Sequence, residues 1–200
     1  KASATALTAA DKGLLDESDT TGSGTDGIFT ASVGFADNFT ATAYGADGAG
    51  AVAYALVLTG TNVASGFFAL GTNGAQGEAI VLNQTGATIT GTAGGQTYFV
   101  ISIDNDPASA TFGTATFTLN ADRPIWHSAT GANGTNHDDA DTMSVAANAL
   151  VVQQTVTDGD GDTATATLDI GTGVFTIEDD GPKASATALT AADKGLLDES

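Results

Sequence analysis

The chain has no cysteine, one methionine, one tryptophan, three prolines and only five basic residues among its 200 positions. The missing cysteine excludes a disulfide framework and any thiolate zinc site. Five cations stand against 24 carboxylates, a formal charge of -19. Phosphate backbones repel such a chain, so nucleic acid is excluded as a partner. No apolar run approaches the ~20 residues that cross a bilayer as a helix, which argues against direct membrane insertion by this piece. What the chain does have is 42% apolar residues and 26 glycines. That content and length suffice for one good core. The question left is which cation answers the carboxylates.

Residues 1–18, KASATALTAADKGLLDES, recur unchanged as residues 183–200, an offset of 182 positions. A duplicated expression tail is one reading. The reading preferred here is a piece of a tandem array, with one repeat over 1–182 and the start of the next over 183–200. Near-identical copies in series suit structural arrays, since copying an active site achieves little. The expected partners are neighbouring repeats of the same chain, and the piece itself is expected to be a monomer. The repeat boundary need not be the domain boundary: residues 2–8 are expected to supply the first strand, leaving 183–200 extended.

Most of the chain reads as short alternating or continuous apolar runs punctuated by glycine, asparagine and aspartate. Strands are predicted over 3–7, 28–35, 51–58, 66–70, 79–83, 87–92, 98–103, 114–120, 143–146, 149–157, 163–170 and 174–178. The segment 9–17, AADKGLLDE, has the makings of one helical turn, interrupted by Gly13. Strands at this spacing suit an all-β sandwich. A period of 182 is long for a minimal sandwich, so extra strands or a subdomain between about 60 and 150 are expected. Alternate threonines such as Thr163, Thr165 and Thr167 fit a strand with one wet face, and Phe29, Phe99, Phe117 and Phe175 read as core.

The acids cluster. Two strands flank Asp158-Gly-Asp-Gly-Asp162, a hairpin tip with carboxylates at alternate positions and glycines that permit positive-φ turns. Counting strand directions up, down and up brings Asp179 and Asp180 to the same end. Like charges so close would splay the loop open. Ca²⁺, which takes six to eight oxygens in flexible geometry, removes the repulsion. The plain alternative is a solvated Asp-Gly turn of the kind hairpins favour. An EF-hand is a poor fit, because the twelfth residue from Asp158 is Asp169, inside a strand. A nonapeptide β-roll needs consecutive copies of a motif that occurs once. Asp104 and Asp106, after a strand and before Pro107, suit either a turn or a second calcium site. Asp16, Glu17 and Asp19 form a further cluster, which its copy at Asp198 and Glu199 would bring to a junction from the following repeat. Asp138, Asp139 and Asp141 beside His137 hint at zinc, but the one other imidazole is His127, and a surface loop is preferred.

Enzyme signatures fail: there is no G-x-S-x-G elbow, no H-E-x-x-H and no cysteine nucleophile. The loop Tyr44-Gly-Ala-Asp-Gly-Ala-Gly50 precedes a strand and lacks the lysine of a phosphate loop. No catalytic activity is expected.

The run TVTDGDGDTATATLDIGTGVFTIEDDGP, residues 155–182, resembles the repeat terminus of giant calcium-dependent RTX adhesins exported by type I secretion. The stretches YGADGAGAVAYALVL (44–58), TYFVISIDND (97–106) and RPIWH (123–127) are similar to the same repeat class, so the likeness covers most of 20–182. The resemblance implies an extracellular extender module on a bacterial surface, an antiparallel β-sandwich of immunoglobulin-like type, strung between a retained end and a distal ligand-binding end. It also implies calcium at the module junctions, matching Asp158, Asp160, Asp162, Asp179 and Asp180, and no catalytic residues. The competing expectation is a glycan- or surface-polymer-binding module, using exposed Trp126, Tyr98 or the acidic loops, with tandem copies supplying avidity.

Overall fold

The alternation of small apolar and threonine residues resolves into thirteen strands among the described residues. The computed structural model describes residues 2–17, 27–40, 43–128 and 139–179. The strands are β1 Gly13–Asp16, β2 Thr30–Gly34, β3 Ala49–Leu58, β4 Val63–Leu70, β5 Gln76–Thr85, β6 Thr88–Ala93, β7 Gln96–Ile103, β8 Thr114–Leu119, β9 Ile125–Trp126, β10 Ala140–Ser144, β11 Leu150–Asp158, β12 Thr163–Asp169 and β13 Thr172–Glu178. Single 3₁₀ turns occupy Ala36–Asn38 and Thr72–Gly74. No helix among the described residues is long and apolar enough to cross a membrane.

The expected all-β sandwich forms. A seven-stranded antiparallel sheet, in the order β2-β8-β7-β6-β5-β4-β9, makes one layer. Two three-stranded sheets, β12-β11-β3 and β1-β13-β10, pack against it. The strands between 60 and 120 are part of the large sheet, and their side chains join one core with those of β3, β11 and β13. The extra length of the repeat therefore widens one sheet.

A file of phenylalanines ties the layers together. Phe67 meets Phe99 edge-on at 5.9 Å, Phe99 stacks on Phe117 at 4.5 Å, and Phe117 tilts against Phe175 at 5.1 Å. Phe67, Phe99 and Phe117 come from the large sheet, whereas Phe175 reaches across from β13. All four are essentially inaccessible, and each such ring removed from water contributes about 1.5–3 kcal/mol. Phe29, also read as core, is partly buried against this cluster.

The N-terminal segment departs from expectation twice. The strand expected over 3–7 is a single bridge, Ala4 to Phe39, flanked by Thr5 N–H donating to Asn38 C=O and Thr40 N–H donating to Ser3 C=O. The helical turn expected over 9–17 is instead a turn at 9–10 followed by β1. Gly13, read as a helix interruption, is where the Phe175 ring lies: a Cβ there would stand 2.9 Å from it. Leu15, one alternation on, is fully buried. Tertiary burial overrides the weak helical signal. β1 runs parallel to β13, with Gly13 opposite Phe175 and Asp16 opposite Glu178. Asp11 braces the entry: its Oδ2 accepts from Thr8 N–H at 2.6 Å, Thr8 O–H at 2.8 Å and Asn38 Nδ2–H at 3.1 Å. The Thr8 N–H chiefly holds its carboxyl below the usual range. The repeated tail, 183–200, lies outside the described residues.

Candidate metal centres

β11 and β12 form the expected hairpin, with Thr157 opposite Thr163. Its acidic tip is closed by Asp158 N–H donating to Asp162 C=O at 3.0 Å and Asp162 N–H donating to Asp158 Oδ1 at 2.9 Å. A hydrogen bond with the Asp160 side chain, helped by the N–H groups of 160–162, holds the Asp158 carboxyl below its usual range. The two glycines do different work. Gly161 takes the positive φ, +101°, that a side chain resists. Gly159 instead permits close approach: a Cβ there would sit 2.2 Å from the Asp47 carbonyl oxygen. Its N–H donates to Gly48 C=O at 3.1 Å.

That contact brings in a residue the sequence reading passed over. Asp47 lies in the glycine-rich loop 44–50, set aside for lacking a phosphate-binding lysine. The structure lays this loop on the hairpin tip, where carboxylate oxygens of Asp47, Asp158 and Asp160 lie within 4.8 Å of one another. Its signal was an Asp-Gly pair at the mouth of a strand, the same signal that marked the tip. All donors here are oxygens in an exposed setting, which suits a hard cation such as Ca²⁺. Asp162 turns to an adjoining cleft of about 200 Å³ that it lines with Tyr44, Val156 and Ala164.

The other candidate ligands are placed elsewhere. Asp104 Oδ1 accepts from Asp106 N–H at 2.9 Å and its Oδ2 from Thr111 O–H at 2.6 Å, while Asp106 Oδ1 accepts from Ala108 N–H at 2.9 Å. Hydroxyls of Ser109 and Thr111, with the Asp106 N–H, hold the Asp104 carboxyl low. These are turn-forming contacts within one loop. Asp180 lies outside the described residues, as do Asp19, His137 and Asp138. Asp179 does not join the hairpin tip in any three-residue group among the described residues. β13 leaves β12 and pairs with β1 and β10 in another sheet.

Asp179 belongs to a second cluster, whose members the sequence analysis named in separate groups without bringing them together. At one end of the β1-β13-β10 sheet, Asp16, Glu178 and Ala140 stand side by side. The next residue on each strand, Glu17, Asp179 and Asp139, extends that row, tied by Glu17 N–H to Glu178 C=O and Asp179 N–H to Asp139 C=O, each 3.0 Å. Facing the row is His127, directly after β9 on the edge of the large sheet, with its side chain 2% exposed. Its Nε2 lies 3.4 Å from Glu17 Oε2, and its Nδ1 lies 3.3 Å from Asp141 Oδ2. Burial pushes the imidazole down, but Glu17, Asp179 and Asp141 outweigh it and hold it above its usual value. Burial pushes the Asp141 carboxyl up, with His127 opposing and Asp139 and Asp179 adding to the rise.

Residues 13–171 match a family described as a domain of unknown function, DUF5801. The chain belongs to that family. The DUF5801 match begins at the first residue of β1 and ends just before β13, so it takes in Glu17, Asp47, His127, Asp141, Asp158 and Asp160, with Asp179 just beyond it. No curated protein and no solved structure matches the chain.

Removing the close approach at Gly159 tests the first cluster. Gly159→Ala is expected to push loop 44–50 off the hairpin tip and weaken Ca²⁺ binding at least tenfold. Its melting temperature in chelator should fall far less than that of a core variant. Calorimetric titration of both proteins checks it; unchanged affinity would remove Asp47 from the site.

Proposed function

We propose that this domain is a structural extender module of a long, calcium-dependent RTX-type adhesin on a bacterial surface, with Ca²⁺ bound by Asp47, Asp158 and Asp160. The observation that carries the reading is the unchanged recurrence of residues 1–18 at 183–200, taken with the place of the first copy in the fold. Residues 13–16 of that copy form β1 and pair with the last strand, β13. The second copy thus carries the first-strand sequence of a following module, and successive repeats of the same chain are the partners. The adhesin likeness of residues 155–182 supplies the extracellular setting, and the all-oxygen cluster at the hairpin tip supports the choice of calcium.

In this reading the metal-free domain keeps mutually repelling carboxylates at the tip and the 46–48 turn. Extracellular-type sites fill at roughly 10⁻⁴–10⁻³ M Ca²⁺, and filling favours the folded state by mass action. Ligand at ten times the dissociation constant stabilises by about 1.4 kcal/mol. The chain is therefore expected to melt measurably higher in millimolar Ca²⁺ than in chelator. Asp158→Asn with Asp160→Asn should abolish the difference. An identical transition in both media would sink the calcium role. For the alternative, a glycan- or surface-polymer-binding module, Trp126 is a poor platform, since it is half-buried and packs edge-on against Phe68 at 6.3 Å.

A further inference from the structure

The second cluster differs from the first in every chemical respect that governs metal choice. Its imidazole is buried and its carboxylates half-buried, it spans the two layers of the sandwich, and its centre is a nitrogen donor. His127 is 6% exposed overall. Among the described residues, neither ring nitrogen makes a hydrogen bond of acceptable geometry. An imidazole so deeply buried ordinarily has both nitrogens satisfied, because an unmade bond costs about 1–3 kcal/mol. Instead, each nitrogen faces a carboxylate at a separation beyond the ~2.7–3.2 Å of a good N–H···O bond.

We propose that His127 Nε2, Glu17 Oε2 and the Asp179 carboxylate form a binding site for a borderline divalent cation of the Zn²⁺ type, distinct from the exposed oxygen cluster. The three ligand atoms lie within 4.8 Å of one another. The 3.4 Å between Nε2 and Oε2 matches the ~3.3 Å edge of a tetrahedron with ~2.05 Å metal–ligand bonds. It is longer than a good N–H···O bond, and it is the length expected of two ligands of one ion.

The surroundings hold these groups in place. Glu17 Oε1 accepts the Ile125 N–H at 3.2 Å, which leaves Oε2 turned to the imidazole. Asp179 is fixed through its backbone to Asp139. On the other side of the ring, Asp141 faces Nδ1 and is itself held by the Ser128 N–H. A carboxylate at the second nitrogen is the usual device that fixes the tautomer and orientation of a metal-bound histidine. Asp141 is therefore the positioning residue, and Asp139 adds negative charge beside it. Imidazole among the donors favours zinc-like ions, whereas an all-oxygen set suits calcium.

The test uses the full chain held in saturating Ca²⁺, so that the hairpin tip does not compete. Titration with Zn²⁺ against a chromophoric chelator should show one equivalent bound at micromolar affinity or tighter, undisplaced by a thousandfold excess of Ca²⁺. Glu17→Gln and His127→Ala should each weaken it at least tenfold, and Asp141→Asn about 10–100-fold. Asp158→Asn with Asp160→Asn should leave it unchanged. If His127→Ala fails to fold, Co²⁺ added to the wild-type chain keeps the question open to measurement, since a four-coordinate site gives visible d–d bands that Zn²⁺ quenches. Binding weaker than about 100 μM, displacement by Ca²⁺, loss confined to His137→Ala, or absence of the Co²⁺ bands would each overturn the assignment.

Discussion

Phe117→Ala is expected to be among the most damaging single truncations in this domain, costing about 3–5 kcal/mol. Phe117 is fully buried between Phe99 at 4.5 Å and Phe175 at 5.1 Å. Its ring is the link through which β13 packs on the seven-stranded sheet. Truncation leaves a void flanked by two rings on different layers, and neither can close it without drawing its own strand out of register. At 2–4 °C per kcal/mol for a domain of this size, the melting temperature should fall by roughly 6–20 °C. Phe175→Ala should overlap with it, so that the double variant loses clearly less than the sum. Differential scanning calorimetry at fixed Ca²⁺ measures both. A loss below 1 kcal/mol would mean that the file of rings does not join the layers.

Gly91→Ala comes next, although it adds only a methyl group. Gly91 sits opposite Phe99 on adjacent strands, and the Phe99 ring lies over it: a Cβ would stand 2.3 Å from the ring's Cζ. The ring cannot swing aside, since Phe67 and Phe117 hold it on both sides. Overpacking of this kind typically costs about 1–3 kcal/mol, and the fixed ring places this site at the upper end. Equilibrium unfolding in urea should show a lower midpoint with an unchanged slope. A truncation that frees the ring, Phe67→Ala, should partly relieve the strain of Gly91→Ala while destabilising on its own. If Gly91→Ala were neutral, the Phe99 ring would have to be mobile.

Such packing is invisible in a linear reading, which explains where sequence reasoning succeeded. Strands bounded by Asp-Gly, Thr-Gly or Asn-Gly pairs were legible, because turn chemistry and two-residue alternation are local. β11, β12 and the loop 158–162 fell where expected for that reason. β1 was misread because Gly13 owes its identity to Phe175, far along the chain, and not to its neighbours. β9 has two residues, too few for any period. The hairpin tip was recognised as acidic, yet Asp47 escaped because the role of Gly159 depends on which loop docks against it. The His127 cluster was legible only in fragments: Asp139 and Asp141 were weighed for zinc and set aside as a surface loop, whereas Asp141 lies in β10 against His127. Glu17, Asp139, Asp141 and Asp179 converge only because β1 and β10 both flank β13, and no local pattern encodes that order.

The parallel pairing of β1 with β13 has a mechanical consequence. A load applied at the two ends of the module draws β1 toward its start and β13 toward its finish. For parallel neighbours these are opposite directions along the strand axis. The bonds joining Gly13–Asp16 to Phe175–Glu178 are then loaded in shear, sharing the force and yielding together. In an antiparallel pair pulled from its open end they would peel apart one at a time. Before rupture the pull must also dislodge Phe175 from the glycine and rings that enclose it. Phe175 thus resists tension as well as heat.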